Sequence, residues 1–231
     1  VVGYIRDIHA AKVQELKQQE QQIRDPVTAF YRRDPGVEKV KANREYRPVG
    51  SLILLDICRF TRITQDCGLI FGDVILGEFS GMLKEACRER ERSAVLIRAG
   101  ADEFLAWLPD HGAQACRDLL LELQLRFARL IQASAMELRF RAGVAVGSDD
   151  QSTHELLRRA CVAVEEAERR GLSILDWAEA ENKNGPEKTF GEVVSLGYAG
   201  QMGLASLAMN LFDRCSSVTA SLDLLCCRIR R

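Results

Sequence analysis

The chain carries almost no surplus of charge: 32 Lys and Arg stand against 33 Asp and Glu, a formal net charge of −1. A nucleic-acid groove needs a basic excess, so no nucleic-acid partner is expected, and there is no acidic excess of the kind that keeps a tail unfolded. Eight cysteines are present, yet none is arranged as C-x-x-C, and no secretory leader with a basic start and an apolar run precedes the first strand. Disulfide frameworks and secretion are therefore not expected, and the thiols read as reduced and intracellular. Adjacent Cys226 and Cys227, beside a basic end, read as ordinary small apolar residues rather than as a lipidation or metal site. Internal repeats and low-complexity tracts are also absent, which excludes solenoids.

A run without charge extends from Val193 to Phe212, long enough to consider a membrane span. Gly197, Gly200, Gln201, Gly203, Ser206 and Asn210 make it weakly apolar, so a helix packing on a partner is expected there in preference to a span. The chain opens on Val1 without Met, as a piece of a longer protein or a processed one would.

Ile5, Ile8, Val13, Leu16 and Ile23 form a narrow apolar seam among Lys, Gln and Glu, broken by Lys12 and Gln19. Such a seam suits a connector helix from an upstream sensor, or a solvated helix docking on its own domain. Asp25-Pro26 ends it, because the residue before proline is pushed out of the helical region. A loop is expected around Asp34-Pro35-Gly36, followed by the continuous apolar run Ser51 to Leu55, a strand buried on both faces and ending on Asp56. Ile75, Leu76, Phe79, Met82, Leu83 and Ala86 have helical spacing, with Asp73 in the N-cap position and the charged run Arg88 to Arg92 at the far end.

Val95 to Arg98 and Phe104 to Leu108 read as strands joined by the turn Ala99-Gly100-Ala101-Asp102-Glu103. Leu119, Leu120, Leu123, Phe127, Leu130 and Ile131 mark another helix, and Leu138 to Val146 a strand. Ser152-Thr153-His154-Glu155 is a capping box that opens a helix ending at Gly171, and Ser173 to Trp177 can close the sheet. This order predicts an α/β (α+β sandwich) fold, a central and mostly antiparallel sheet flanked by helices. Residues 1–23 are then a connector helix, 24–178 the domain, and 179–231 a linker and helical segment.

Two features suggest chemistry: Asp56 at the end of a buried strand, and Asp102 with Glu103 on a glycine-containing turn. A single acid of this kind is more often a solvated loop charge. Carboxylates on neighbouring strand ends, however, suit a hard divalent ion that also takes phosphate oxygens, and a glycine turn lets backbone approach a nucleotide.

From about Arg24 to Trp177 the chain resembles the GGDEF family of bacterial diguanylate cyclases. Asp25-Pro26-Val27-Thr28-Ala29-Phe30-Tyr31-Arg32-Arg33 is similar to that family's D-x-L-T-G-L-x-N-R. Asp56-Ile57-Cys58-Arg59-Phe60 is similar to its D-I-D-x-F, and Gly72-Asp73 to its G-D. Arg98-Ala99-Gly100-Ala101-Asp102-Glu103-Phe104 resembles R-x-G-G-D-E-F with one glycine changed. Arg141-Ala142-Gly143-Val144-Ala145 parallels S-I-G-I-A, and Ala167-Glu168-Arg169-Arg170-Gly171 parallels A-K-x-x-G.

The resemblance implies a cytoplasmic bacterial signalling domain, a homodimer in which each protomer holds one GTP, and cyclic di-GMP as product. It implies Asp56 and Asp102 as carboxylate ligands of Mg²⁺ or Mn²⁺, with the Ile57 carbonyl as a further ligand. Glu103 would prepare the attacking hydroxyl or the metal, Asp73 would bond the guanine edge, and Gly100 and Ala101 would lie against the nucleotide.

Departures from the pattern are as informative. Thr64 stands where an asparagine reads guanine, Thr61 and Glu168 where lysines stand, and Leu172 where an arginine grips phosphate. Losing two phosphate cations while adding a carboxylate weakens GTP by several kcal/mol, at about 1.5–3 kcal/mol for each charge-assisted contact. Ala101 adds a methyl group to the turn, Cys58 removes an acid, and Leu69 replaces a histidine. Glu91 and Ala94 stand at the ends of the feedback R-x-x-D, so product inhibition there is not expected. The reading is a divergent GGDEF domain that binds GTP and metal, with synthesis weak or lost. The alternatives are an active cyclase, a non-catalytic dimerisation module, and a cyclase with ATP as substrate.

Overall fold

The computed structural model describes residues 20, 22–132 and 138–181. In chain order the elements are β1 (Tyr31–Arg32), α1 (Arg33–Arg44), β2 (Gly50–Ile57), α2 (Phe60–Cys67), α3 (Leu69–Arg90), β3 (Val95–Arg98), β4 (Glu103–Pro109), α4 (Ala113–Gln132), β5 (Phe140–Gly147), α5 (Thr153–Arg170), β6 (Ile174–Asp176) and α6 (Trp177–Glu181).

The strands form one sheet in the order β1-β3-β4-β2-β5-β6. The inner pairings β3–β4, β4–β2 and β2–β5 are antiparallel, and the edge pairings β1–β3 and β5–β6 are parallel. The expected α+β sandwich with a mostly antiparallel sheet is what forms. Its central strand is β2, the run whose uninterrupted apolar character marked it as covered on both faces.

Side chains alternate along β2, and the two sets enter different cores. Ile53, Leu55 and Ile57 pack with Ile75, Phe79 and Leu83 of α3 and with Leu119 and Leu123 of α4. Leu52 and Leu54 pack on the opposite face with Val40 of α1 and with Leu156 and Ala160 of α5. Phe79 is fully buried, with its ring centroid 5.1 Å from those of Phe104 and Phe127 and 5.4 Å from that of Phe140. The edge-to-face packing on Phe127 and Phe140 adds to the area term. On the other face, α5 approaches β5 at backbone contact: a Cβ on Gly143 would lie 2.3 Å from the Ala160 carbonyl oxygen.

The N-cap half of the capping box forms, with Ser152 Oγ accepting from the Glu155 N–H at 3.1 Å while the Glu155 carboxylate accepts from Arg158 and Arg159, and α5 ends at Gly171 with φ +69°. Several elements differ from expectation. Asp34-Pro35-Gly36 is the first turn of α1 rather than a loop, since proline is tolerated where its missing N–H would have no helical partner. Asp73 is not an N-cap: α3 starts four residues earlier, because Gly68 at φ +90° turns the chain directly from α2 into α3. The two-residue β1 is too short to show a period.

Residues 1–19 of the expected connector, the apolar stretch 193–212, and Cys226 and Cys227 lie outside the described residues. Among the described residues no helix is long and apolar enough to cross a membrane.

Candidate functional site

The ladder fixes the neighbours of Asp56. Across β2–β4 it stands opposite Glu103, and across β2–β5 opposite Arg141. Directly opposed residues project to the same face, so Glu103, Asp56 and Arg141 form one row across three strands. Even-numbered positions of β2 face α1 and α5, and the last turn of α5 accordingly brings Glu168 to the row. Arg141 Nη1 lies 2.8 Å from Glu168 Oε1 and 4.0 Å from Asp56 Oδ2.

One residue beyond Asp56, the Ile57 N–H donates to the Asp102 carbonyl at 3.1 Å, which ties the β3–β4 turn to the end of β2. The turn is braced from inside as well. Ala99 N–H and Gly100 N–H donate to the Glu103 carbonyl at 2.8 and 3.3 Å. Arg98 donates from Nη2 to the Ala101 carbonyl at 2.9 Å and from Nε to the Gly100 carbonyl at 3.3 Å. Its Nη1 reaches both carboxylate oxygens of Asp25 at 3.0 Å.

Asp25 in turn accepts from Val27 N–H, Thr28 N–H and the Thr28 hydroxyl at 3.2, 2.9 and 2.9 Å. Burial pushes its carboxyl up, but the Thr28 and Arg98 hydrogen bonds outweigh burial and hold it below the ordinary range.

At the row itself the balance runs the other way. Burial, and then the charge of Asp102, push the Asp56 carboxyl up to about 6, with Glu103 and Glu168 adding to the effect and Arg141 opposing it. Asp102 is also raised, by burial, against its backbone hydrogen bond and Arg98. The displacement is larger at Asp56, and the repulsion belongs to the pair. Carboxylates held together in a half-buried corner are what a divalent cation relieves.

Among the described residues no group of three or more His, Cys, Asp or Glu side chains has the arrangement of a metal cage. Two carboxylates and a strand-end carbonyl, the ligands that the resemblance implies, would make an all-oxygen donor set. That fits Mg²⁺ or Mn²⁺, which leave further positions to water and phosphate, and does not fit a closed structural site.

The remaining expected residues form a second group. From β2 the chain turns through Arg59 at φ +62° into α2, which carries Thr64. Thr64 packs its methyl group against Gly72 of α3, and its hydroxyl donates to the Thr61 carbonyl at 2.9 Å. Asp73 follows, exposed, in the second turn of α3, and Leu69 and Ile70 beside it are 77% and 80% exposed.

The structure therefore places Asp56, Ile57, Gly100, Ala101, Asp102 and Glu103 together at the β2 end and the β3–β4 turn. Thr64 and Asp73 sit together on the α2–α3 corner. Sequence reasoning gave Arg141 no role. Its signal was a cation at a strand start, which acquires meaning only through the register that sets it opposite Asp56.

Residues 23–173 match the family described as diguanylate cyclase, GGDEF domain. The chain belongs to the GGDEF family. Over 168 residues this GGDEF chain is 28% identical to the diguanylate cyclase DgcP of Pseudomonas aeruginosa, covering 70% of its own length and 25% of DgcP. It thus spans about a quarter of that relative.

Among solved structures, the coiled coil and GGDEF domain of DgcB from Caulobacter crescentus, in complex with c-di-GMP, aligns with a TM-score of 0.65 at 17% identity. That alignment covers 76% of this chain and 96% of the other. The diguanylate cyclase SiaD of Pseudomonas aeruginosa, in complex with its activator SiaC, aligns at 0.58 and 23% identity, covering 76% and 70%. The S helix-GGDEF-EAL portion of Vibrio cholerae LapD, bound to c-di-GMP, aligns at 0.63 and 15% identity, covering 83% and 45%. At these identities the likeness is one of fold. In the GGDEF domain described here the signature hairpin is Gly100-Ala101-Asp102-Glu103-Phe104.

Proposed function

We propose that this GGDEF domain binds GTP together with a divalent metal ion, and that its synthesis of cyclic di-GMP is weak or lost. The observation that carries the reading is the placement of Asp56 at the end of β2, opposite Glu103 and one residue from the Ile57–Asp102 backbone hydrogen bond, so that the acids of the turn meet the acid of the strand. Asp56, Asp102 and the Ile57 carbonyl would hold Mg²⁺ or Mn²⁺. Bound there, the ion would neutralise charge developing on the phosphates in an in-line displacement.

The chain's own groups would do the rest. Glu103, next to the metal carboxylates, would orient the attacking hydroxyl. Gly100 and Ala101 would lie along the nucleotide, with the extra methyl of Ala101 narrowing the approach. Asp73 would accept from the guanine edge. Thr64 brings only a hydroxyl, already donated to Thr61, where a side-chain amide would read the base. Turnover requires two such sites face to face, so a homodimer is part of the proposal, as are an upstream sensor joined through residues 1–23 and a domain spanning 24–178.

Weak turnover is supported by what surrounds the phosphate end. Glu168, on the last turn of α5, is a carboxylate, and Leu172 is apolar. Catalysis by positioning tolerates such losses poorly. A non-catalytic module that signals through its connector is the second reading, and the same exposed Glu168 favours it.

Radiolabelled GTP incubated with the protein and Mg²⁺, with Asp102→Ala as control, separates these readings. GTP binding by calorimetry that is lost in the control, with little or no cyclic di-GMP, is the expected result. No binding at millimolar GTP would leave the non-catalytic module.

A further inference from the structure

Resting on the nucleotide reading above, we propose that Arg141 is the side chain that grips the nucleotide phosphates, with Glu168 as its partner while the site is empty of nucleotide. The corner around Asp56 is crowded with negative charge: Asp102, Glu103 and Glu168 all act on the Asp56 carboxyl. A triphosphate arriving there brings more, and one divalent ion between two carboxylates leaves the remainder uncompensated.

Two guanidinium groups lie close by. Arg98 is committed to the Asp25 carboxylate and to two carbonyls of the turn, and it is largely buried, so it is a brace rather than a ligand. Arg141, at 26% exposed, is less committed: its short contact is with one carboxylate, that of Glu168. Its main chain is fixed, because β5 lies between β2 and β6, while its side chain reaches out of the row to a carboxylate that is 63% exposed. An ion pair with so exposed a partner is weak and easily exchanged. The guanidinium fork matches phosphate oxygens two at a time, which a lone ammonium does not.

Arg141 is also in the right place. It flanks Asp56 on the side opposite Glu103, so the acid lies between the hairpin residue and the cation in a single row. At 4.0 Å from Asp56 its guanidinium is within one phosphate oxygen of that carboxylate. On this account the exchange is electrostatic: Arg141 leaves Glu168 for phosphate, and Glu168 turns to water. Glu168 then limits affinity, because it competes for the cation and repels the incoming charge.

The test is calorimetric titration of GTP and GMP in Mg²⁺ into the full chain and into Arg141→Ala, Arg141→Lys, Glu168→Ala and Asp102→Ala. Arg141→Ala is expected to weaken GTP by at least about tenfold, the size of one charge-assisted contact, and GMP by clearly less, because the loss grades with phosphate charge. Arg141→Lys should recover part of the affinity, and Glu168→Ala should tighten GTP.

Equal loss for GTP and GMP on Arg141→Ala, or no loss for either while Asp102→Ala abolishes binding, overturns the assignment and leaves the nucleotide reading standing. A parent chain that binds neither nucleotide removes both. Should Arg141→Ala fail to fold, Glu168→Ala decides alone, since unchanged or weaker GTP binding in that folded variant contradicts the competition.

Discussion

Asp25 and Arg98, 73 residues apart in sequence, are joined by two contacts of 3.0 Å, with both side chains about 15% exposed. Through the same guanidinium, the segment by which the chain enters the domain is bonded to the turn that carries Asp102 and Glu103. A displacement of the entry segment therefore reaches the turn through one side chain, that of Arg98. Asp25→Asn leaves Arg98 charged and half-satisfied in a mostly enclosed position. We expect a loss on the order of 2–3 kcal/mol in urea unfolding. Faster amide exchange at 99–103 should accompany it, and unchanged exchange there would show that the turn stands without the brace.

Asp56→Asn should stabilise the domain at neutral pH. The folded carboxyl is raised to about 6 from an ordinary 3.8, so protonated Asp56 favours the fold and that contribution is lost as pH climbs through about 6. Above that pH the native charge is a cost, which asparagine removes. A gain on the order of 1–3 kcal/mol is expected at pH 7.5, seen as a higher Tm without metal. Mg²⁺ should raise the Tm of the parent and leave the variant where it is.

The acid limb of stability should depend on Glu91. Its hydrogen bond from Arg47, then those from Ser93, depress its carboxyl to about 2, and Arg47 also holds Asp110. With the folded value below the unfolded one, this contribution is complete above the usual carboxylate range and disappears as pH falls toward 2. Arg47→Gln should flatten the stability profile below pH ~4.5, measured by chemical denaturation across pH.

Gly143→Ala should cost about 1–3 kcal/mol, since its Cβ would meet the Ala160 carbonyl at 2.3 Å and α5 would have to lift from β5. The shift also carries Glu168 away from Arg141. A thermal melt within a degree of the parent would show that the helix moves freely.

Much of this architecture was legible in the sequence because it is local. The run from Ser51 to Leu55 declares a strand, Ser152 and Glu155 declare a cap, and the acids of the turn mark themselves by their company. What was hidden depends on partners far along the chain. Asp73 looked like a cap until Gly68 was seen to start the helix before it, and a two-residue strand such as Tyr31–Arg32 has no period to read. Arg141 became interesting only once the ladder set it opposite Asp56, since sequence spacing does not fix register.

Register has one more consequence. Along β2 the odd positions enter the core around Phe79, and the even ones end at Asp56. Sliding this strand by a single residue would push a carboxylate among aromatic rings and strand Ile57 in water, a misfit too costly to persist. Completion of the hydrophobic interior thereby proofreads the position of the acid. A molecule whose core has closed is one whose carboxylate row is already in order.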